Sequence, residues 1–342
     1  MQFVEKIKGV FFVDKDRVGF LYKFFFKWHF PIILAGFFLG RAMVFNDIAP
    51  FSLPYLAVIS YFLKSQWFYV LFSFLLGMVT VHSFNVIYRT IFFIFLFFLF
   101  KKIFSFFNKD RITYAPFLVL FSSFLGYSIY FCFVKVNLAK FLYASLEVLL
   151  SFILSFIFLQ ALPFLIVKKR RFTLRTEEIV CFIILFGSIL TGCFGIKVFN
   201  LSVVNILARF LVILLSLIGG ATLSASMGVV IGLILSLSHQ EMLLQIGLLS
   251  FSGLLAGLFK EGKRIFVALG FLLGSVIFSF YEPLTPNIFG SIQETLGAIL
   301  LFLFFREKWF KKIASYIPGT KENQSLQYDY IKRVRNITAL KV

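Results

Sequence analysis

Between His29 and Phe305 the chain is a succession of apolar runs, and almost every charged residue lies in the short segments that separate them. A helix that crosses the hydrocarbon core of a bilayer needs about 20 mostly apolar residues, because each residue advances it by only about 1.5 Å. Twelve runs of roughly that kind are legible: His29–Phe45, Pro50–Leu63, Trp67–Val81, Val86–Phe100, Tyr114–Val134, Phe141–Val167, Ile179–Ile196, Leu201–Ile218, Ala221–Leu237, Leu243–Phe259, Ile265–Tyr281 and Phe289–Phe305. Soluble domains are about half apolar and one quarter charged. This chain is 60% hydrophobic and 14% charged, with 53 Phe, which excludes a water-soluble globular fold. The expected fold class is all-α, a polytopic transmembrane helical bundle of about 10–12 spans. Pro50–Leu63 is short and carries Pro50 and Pro54, so it reads as a partial or re-entrant element.

The net charge of +19 raises nucleic acid as a partner, since basic patches bind phosphate. Its placement argues for the lipid bilayer instead, with no nucleic acid. Threading the runs in alternate directions puts Lys64, the 101–111 and 168–175 loops, Lys260–Arg264 and Arg306–Lys312 on one side. Lys135, Lys140 and Lys197 alone fall on the other, apart from Arg41, Arg89 and Arg209 inside the runs. Cytoplasmic loops carry the excess of Lys and Arg, so both termini are expected in the cytoplasm of a bacterial cell, with an even number of crossings. Met1–Asp16 mixes Lys, Glu and Asp before any long apolar run and does not read as a cleavable signal peptide.

Three regions follow from composition. Residues 1–28 form a basic cytoplasmic or interfacial leader, in which Phe11, Phe12, Phe20 and Phe24–Phe26 alternate with lysines; a headgroup-bound segment and a flexible one are equally compatible with it. Residues 29–305 form the bundle, Phe-rich over 29–200 and Gly-rich over 201–305. In the second half Gly228 and Gly232, Gly253 and Gly257, and Gly270 and Gly274 are G-x-x-x-G pairs, which let helices approach closely, within one chain or between copies in a homo-oligomer. Residues 306–342 form a cytoplasmic juxtamembrane segment. There Pro318, Gly319 and Lys321–Gln324 read as a polar hinge, and Leu326, Tyr330, Val334, Ile337 and Leu340 as the apolar face of a linker helix interrupted by Arg333.

No catalytic, cofactor-binding or metal-ligating residue stands out. Gly257–Lys263 fits G-x-x-x-x-G-K, but Arg264 stands where a phosphate loop needs Ser or Thr, and both flanks are apolar runs; a basic turn explains it. His29, His82 and His239 are far apart, and Cys132, Cys181 and Cys193 form no CxxC pair, so no metal site is expected. Neither a dinuclear-metal set of aspartates nor a G-x-S-x-G elbow is present. The candidates that remain are charges inside apolar runs: Arg41, Glu147 and Arg209. Such groups are costly in lipid and mark function or a structural ion pair. Arg89 lies near a run's end and can snorkel to the headgroups, which leaves Glu147 to pair with Arg41 or Arg209.

Gly36-Phe-Phe-Leu-Gly40-Arg41-Ala42 followed by Ala49-Pro50-Phe51 resembles the opening of the membrane region of the stage II sporulation protein E family. Similar to the same region are Gly220-Ala-Thr through Gly228-Val-Val-Ile-Gly232, Gly247-Leu-Leu-Ser-Phe-Ser-Gly253 through Lys260, and Gly270-Phe-Leu-Leu-Gly274. Tyr330-Ile-Lys-Arg-Val-Arg-Asn-Ile-Thr resembles the juxtamembrane helix that leaves it. The resemblance implies the N-terminal membrane domain of a sporulation regulator, usually of ten helices, ahead of a cytosolic regulatory region and a manganese-dependent serine phosphatase of the PP2C type. It also implies a role at the polar septum, where the phosphatase acts on an anti-anti-sigma factor to activate the forespore sigma factor and the protein meets the tubulin-like division protein. No phosphatase residue maps onto this chain, so the expectation here is a membrane anchor, localisation and oligomerisation domain. The rival reading from a different class is a small-solute transporter with Arg41, Glu147 and Arg209 along its path.

Overall fold

A computed structural model describes residues 30–45, 48–63, 67–106, 112–134, 137–166, 175–238, 243–280, 288–318, 320, 323–325 and 328. Each of the twelve apolar runs contains a helix. In chain order they are α1 (Phe30–Arg41), α2 (Ser52–Phe62), α3 (Trp67–Val79), α4 (Phe84–Phe106), α5 (Ala115–Phe133), α6 (Leu138–Ile166), α7 (Thr176–Thr191), α8 (Val203–Ser238), α9 (Leu243–Leu258), α10 (Arg264–Phe280) and α11 (Ile288–Phe304), followed by a short α12 (Glu307–Ala314). A two-residue ladder pairs β1 (Lys197–Val198) with β2 (Leu201–Ser202) around Phe199 and Asn200, both at positive φ as a tight hairpin turn requires. The fold is an all-α helical membrane bundle.

Its burial is inverted relative to a water-soluble protein. Ser122, Ser155, Ser188, Thr295 and Arg209 have no exposed surface, whereas Phe84 is 77% and Phe289 83% exposed. Polar groups face the interior, where backbone carbonyls accept from them, and apolar rings face outward; only a hydrocarbon solvent makes that arrangement favourable. Three helices, Ile112–Phe133 with its 3₁₀ turn, Leu138–Pro163 and Val203–Ser238, are long and apolar enough to cross a membrane.

The last of these contains two runs. Gly220 has φ 77° and ψ −166°, a conformation open only to glycine. Val212 and Ser224, twelve positions apart and about 18 Å along a straight helix, both meet Gly253. The hydroxyls of Ser216 and Ser224 donate to the Gly253 carbonyl at 3.2 and 2.7 Å. The chain therefore doubles back at Gly220, and limbs 203–219 and 221–238 form a hairpin against α9.

The element around Pro50 is a broken passage. Residues 42–45 and 48–51 are irregular, and α2, about 16 Å long, is buried on every side from Ser52 to Ser60. Contacts with α6 advance in step along both segments: Phe45 with Tyr143, Pro50 with Ser151, Tyr55 with Phe158. The irregular stretch and the short helix together thus run parallel to α6 over most of its length. Among the described residues these contacts advance along α6 without doubling back. Irregular backbone is tolerated at that depth because protein surrounds it.

Two apolar cores result. One gathers α1 to α6 around Tyr55, Phe74, Phe97 and Phe158; the other gathers α8 to α12 around Val212, Phe271 and Phe302. Helix α7 lies between them, giving Leu185 to the first and Ile179, Ile183 and Leu190 to the second.

Candidate functional site

Glu147, on the middle of α6, is the centre of the first core's polar cluster. Arg89 of α4 reaches its carboxylate at 3.2 Å, Tyr127 of α5 donates its hydroxyl to the same oxygen, and the Ala49 backbone N–H donates to the carboxylate. The Arg89 guanidinium also lies 5.4 Å from the Tyr127 ring centroid. The expected pairing of Glu147 with Arg41 or Arg209 is therefore incorrect. Arg89, set aside as a snorkelling residue, is the partner: α4 packs against α5, and the guanidinium reaches past the Tyr127 ring to the α6 carboxylate.

The cluster sits at the N-terminal approach to α2. At the other end of that helix, Lys101 of α4 donates to the Ser60 carbonyl and hydroxyl at 3.1 and 2.9 Å and lies 3.9 Å from the Tyr61 ring centroid. A short helix enclosed in protein thus has a carboxylate before its positive end and an ammonium on its negative end, which is the favourable sense for its dipole. Neither role was visible in the run itself, since the two charges come from α6 and α4.

Arg209 anchors the second polar cluster. Its guanidinium lies 3.2 Å from Glu294 on α11 and donates to Thr295 Oγ1 at 2.8 Å, Ser291 Oγ at 3.1 Å and the Ser291 carbonyl. Glu294 also accepts from Asn205 Nδ2 at 2.9 Å and from the Ser202 backbone N–H at 3.0 Å. Sequence reasoning missed Glu294, although it lies inside an apolar run and the rule that flagged Glu147 applies equally to it. Arg41 has no carboxylate partner among the hydrogen bonds and ion pairs of the described residues. It donates to the carbonyls of Gly192 at 2.8 Å and Phe194 at 3.2 Å and to Thr80 Oγ1 at 2.8 Å, joining α1, α3 and the end of α7. The three predicted charges therefore occupy three separate places and line no common path.

The six glycines are all used inside the chain. A β-carbon on Gly228 would lie 2.7 Å from the Leu249 carbonyl oxygen, one on Gly232 2.6 Å from Ile246 Cα, and one on Gly253 2.7 Å from Val212 Cγ1. Gly257 abuts the Ala221 backbone, Gly270 the Phe259 ring at 2.6 Å, and Gly274 Ser252 Cα at 2.6 Å. They bind α8, α9 and α10 together. Gly40 and Gly77 perform the same service between α1 and α3, abutting the carbonyls of Phe74 and Phe37; the Gly36–Gly40 spacing was the available signal.

At the end of the bundle where α9, α10 and α11 meet basic segments, Arg264 clasps α12. It donates to the Phe305 carbonyl at 2.8 Å, lies 3.8 Å from Glu307 and stacks 4.5 Å from the Phe310 ring centroid. Beyond α12 two described side chains tie back to it and to the turn that follows. Thr320 is buried and donates to the Ala314 and Ile317 carbonyls at 2.6 and 2.9 Å, and Asn323 donates to the Ser315 carbonyl at 2.7 Å. Of the hinge read at Pro318, Gly319 and Lys321–Gln324, Asn323 is held by this bond, and Gly319, Lys321 and Glu322 lie outside the described residues. The linker-helix stripe from Leu326 to Leu340 and the leader 1–28 lie outside the described residues. Among the described residues no three His, Cys, Asp or Glu side chains converge.

The family model described as SpoIIE, N-terminal domain, matches residues 4–314. This chain belongs to that family. It is 37% identical over 327 residues to stage II sporulation protein E of Bacillus subtilis (strain 168), a match covering 94% of this chain and 39% of that relative, in its N-terminal part. It is also 38% identical over 117 residues to stage II sporulation protein E of Priestia megaterium, covering 34% of this chain and 20% of that protein. The chain therefore spans about two fifths of the length of the Bacillus relative. No solved structure matches. Family membership makes it a stage II sporulation protein E N-terminal domain, and the apolar helices agree with a membrane domain.

Proposed function

We propose that the bundle is a multi-pass anchor of the bacterial cell membrane, with both termini cytoplasmic, that holds a PP2C-type serine phosphatase at the polar septum and transmits its own state to that enzyme. In this reading the phosphatase, with its manganese, lies in the part of the relatives beyond the matched region. There it acts on the anti-anti-sigma factor to activate the forespore sigma factor. The tubulin-like division protein is met through the same cytosolic part, and copies of the chain associate as a homo-oligomer. The observation that carries the reading is the Arg264 clasp, continued by the bonds of Thr320 and Asn323. These tie the described residues of the exit to α12 and the turn after it, and a tied exit can pass a helix movement onward where a slack tether cannot. Replacing residues 321–324 by a Gly/Ser linker in the full-length protein is expected to leave membrane insertion intact and to uncouple sigma-factor activation from septation. Activation that stays normally timed would refute the coupling.

A transporter reading draws on one feature, the broken passage of α2, since interrupted helices are a mark of secondary transporters. The two buried ion pairs belong to separate cores and satisfy one another, so the geometry favours the anchor.

A further inference from the structure

A cleft of about 760 Å³ opens at the basic end of the second core. Its wall is apolar, formed by Leu217 and Ile218 at the α8 hairpin, Leu303 of α11 and Phe310 of α12. Its rim carries Lys260, Lys263, Arg264 and Lys311 against Glu261 and Glu307. Glu307 is already engaged by Arg264. The Arg264 Nη2 atom is buried without a hydrogen-bond acceptor among the described residues. With Glu307 engaged by Arg264, Lys260, Lys263 and Lys311 outnumber Glu261 on the rim, and that excess of positive charge favours an incoming anionic oxygen.

We propose that this cleft binds the phosphodiester headgroup of an anionic phospholipid, with the glycerol and upper acyl chain along Leu303 and Phe310. Charge complementarity selects the occupant. The chain's own terminal segments, 1–29 and 326–342, carry more Lys and Arg than Asp and Glu, and a basic rim repels them. The cleft lies where the apolar helices end, at headgroup level, beside exposed Trp309 and Ile313 of α12, the kind of apolar residues an interfacial helix seats in lipid. Basic pockets between helices at that level recognise acidic headgroups. Because Arg264 belongs to α10 and Lys311 to α12, a phosphate bound at this rim bridges α10 to α12 and tightens the exit from the bundle. The inference stands whether or not that exit drives a phosphatase.

The test titrates the whole chain, in neutral-detergent micelles, with phosphatidylglycerol and with phosphatidylcholine of the same acyl chains, reading melting temperature and lipid adducts by native mass spectrometry. Phosphatidylglycerol is expected to raise the melting temperature saturably and to give one tightly held adduct; phosphatidylcholine is expected to do neither. Lys263 and Lys311 are exposed, so K263Q and K311Q fold, and each is expected to weaken the titration about fivefold. K197Q, at the β-hairpin, is expected to leave it unchanged. The proposal is overturned by any of three results: phosphatidylglycerol binding that is insensitive to K263Q and K311Q, an equal shift from inorganic phosphate or glycerol phosphate at the same concentration, or an equal shift from a polyglutamate peptide. The second result would make it a free-phosphate site and the third a surface for an acidic protein.

Discussion

Glu147 and Arg89 neutralise one another in a setting where either alone would be a buried charge without compensation. Breaking a buried pair by removing one partner costs about 3 kcal/mol or more, most of it the penalty on the charge left behind. Glu147→Gln is therefore expected to lower thermal stability in detergent by that order, and the Glu147→Leu/Arg89→Leu double variant to recover part of the loss. A melting temperature unchanged in Glu147→Gln would contradict the pair. His82 gives the residue scale its pH dependence. It lies in the turn between α3 and α4, with Nε2 3.0 Å from the Gly40 carbonyl and Nδ1 buried without a hydrogen-bond partner among the described residues. Burial holds its imidazole below the usual histidine range, with Arg89 adding to the effect and the Gly40 contact opposing it. The unfolded chain then takes up the proton first, so stability is full at neutral pH and falls as pH drops below about 6.5. Thermal melts between pH 7.5 and 5.5 are expected to show that fall, and His82→Gln to flatten it.

At the scale of elements, the broken passage and the α8 hairpin each depend on a feature that a uniform apolar helix lacks. Lys101 supplies the cation on the carbonyl end of α2. Replacing it with Met keeps the aliphatic stem but leaves the Ser60 carbonyl unmet, at a cost of about 1–3 kcal/mol. A lower melting temperature with retained helical circular dichroism is the expected result. Gly220 stands in backbone space that an alanine enters only with strain of about 1–3 kcal/mol, so Gly220→Ala is expected to loosen the contact of both limbs with Gly253. Cysteine pairs placed at 212 and 224 would report it as slower crosslinking.

For the whole molecule, the glycine contacts divide stability from association. Because Gly228, Gly232, Gly253, Gly257, Gly270 and Gly274 all meet neighbours within the chain, any oligomer must use another surface. Gly253→Leu, which forces overpacking against Val212, is expected to destabilise the protomer by about 1–3 kcal/mol. The oligomer mass of the surviving folded fraction is expected to stay as in the parent. Loss of oligomer at undiminished melting temperature would show instead that the glycine stripe is an intermolecular seam.

Hydrophobic runs, their number and the one-sided placement of Lys and Arg are local properties, summed residue by residue, and they were legible before any fold was known. So was the family resemblance, carried by Gly36–Gly40 and Gly247–Gly257, and so was the need for close helix approach at the paired glycines. What the amino-acid order by itself determined is thus that the chain seeks lipid and in what succession its helices form. Tertiary structure alone decided that Glu147 meets Arg89 and not Arg41, that Arg209 meets Glu294, and that Phe45, Pro50 and Tyr55 lie in order along α6. The physical reason is that hydrophobicity says a helix is buried in hydrocarbon but is nearly indifferent to which neighbour it has. The few polar groups, each needing one specific partner at one depth, settle that choice only once the helices are side by side.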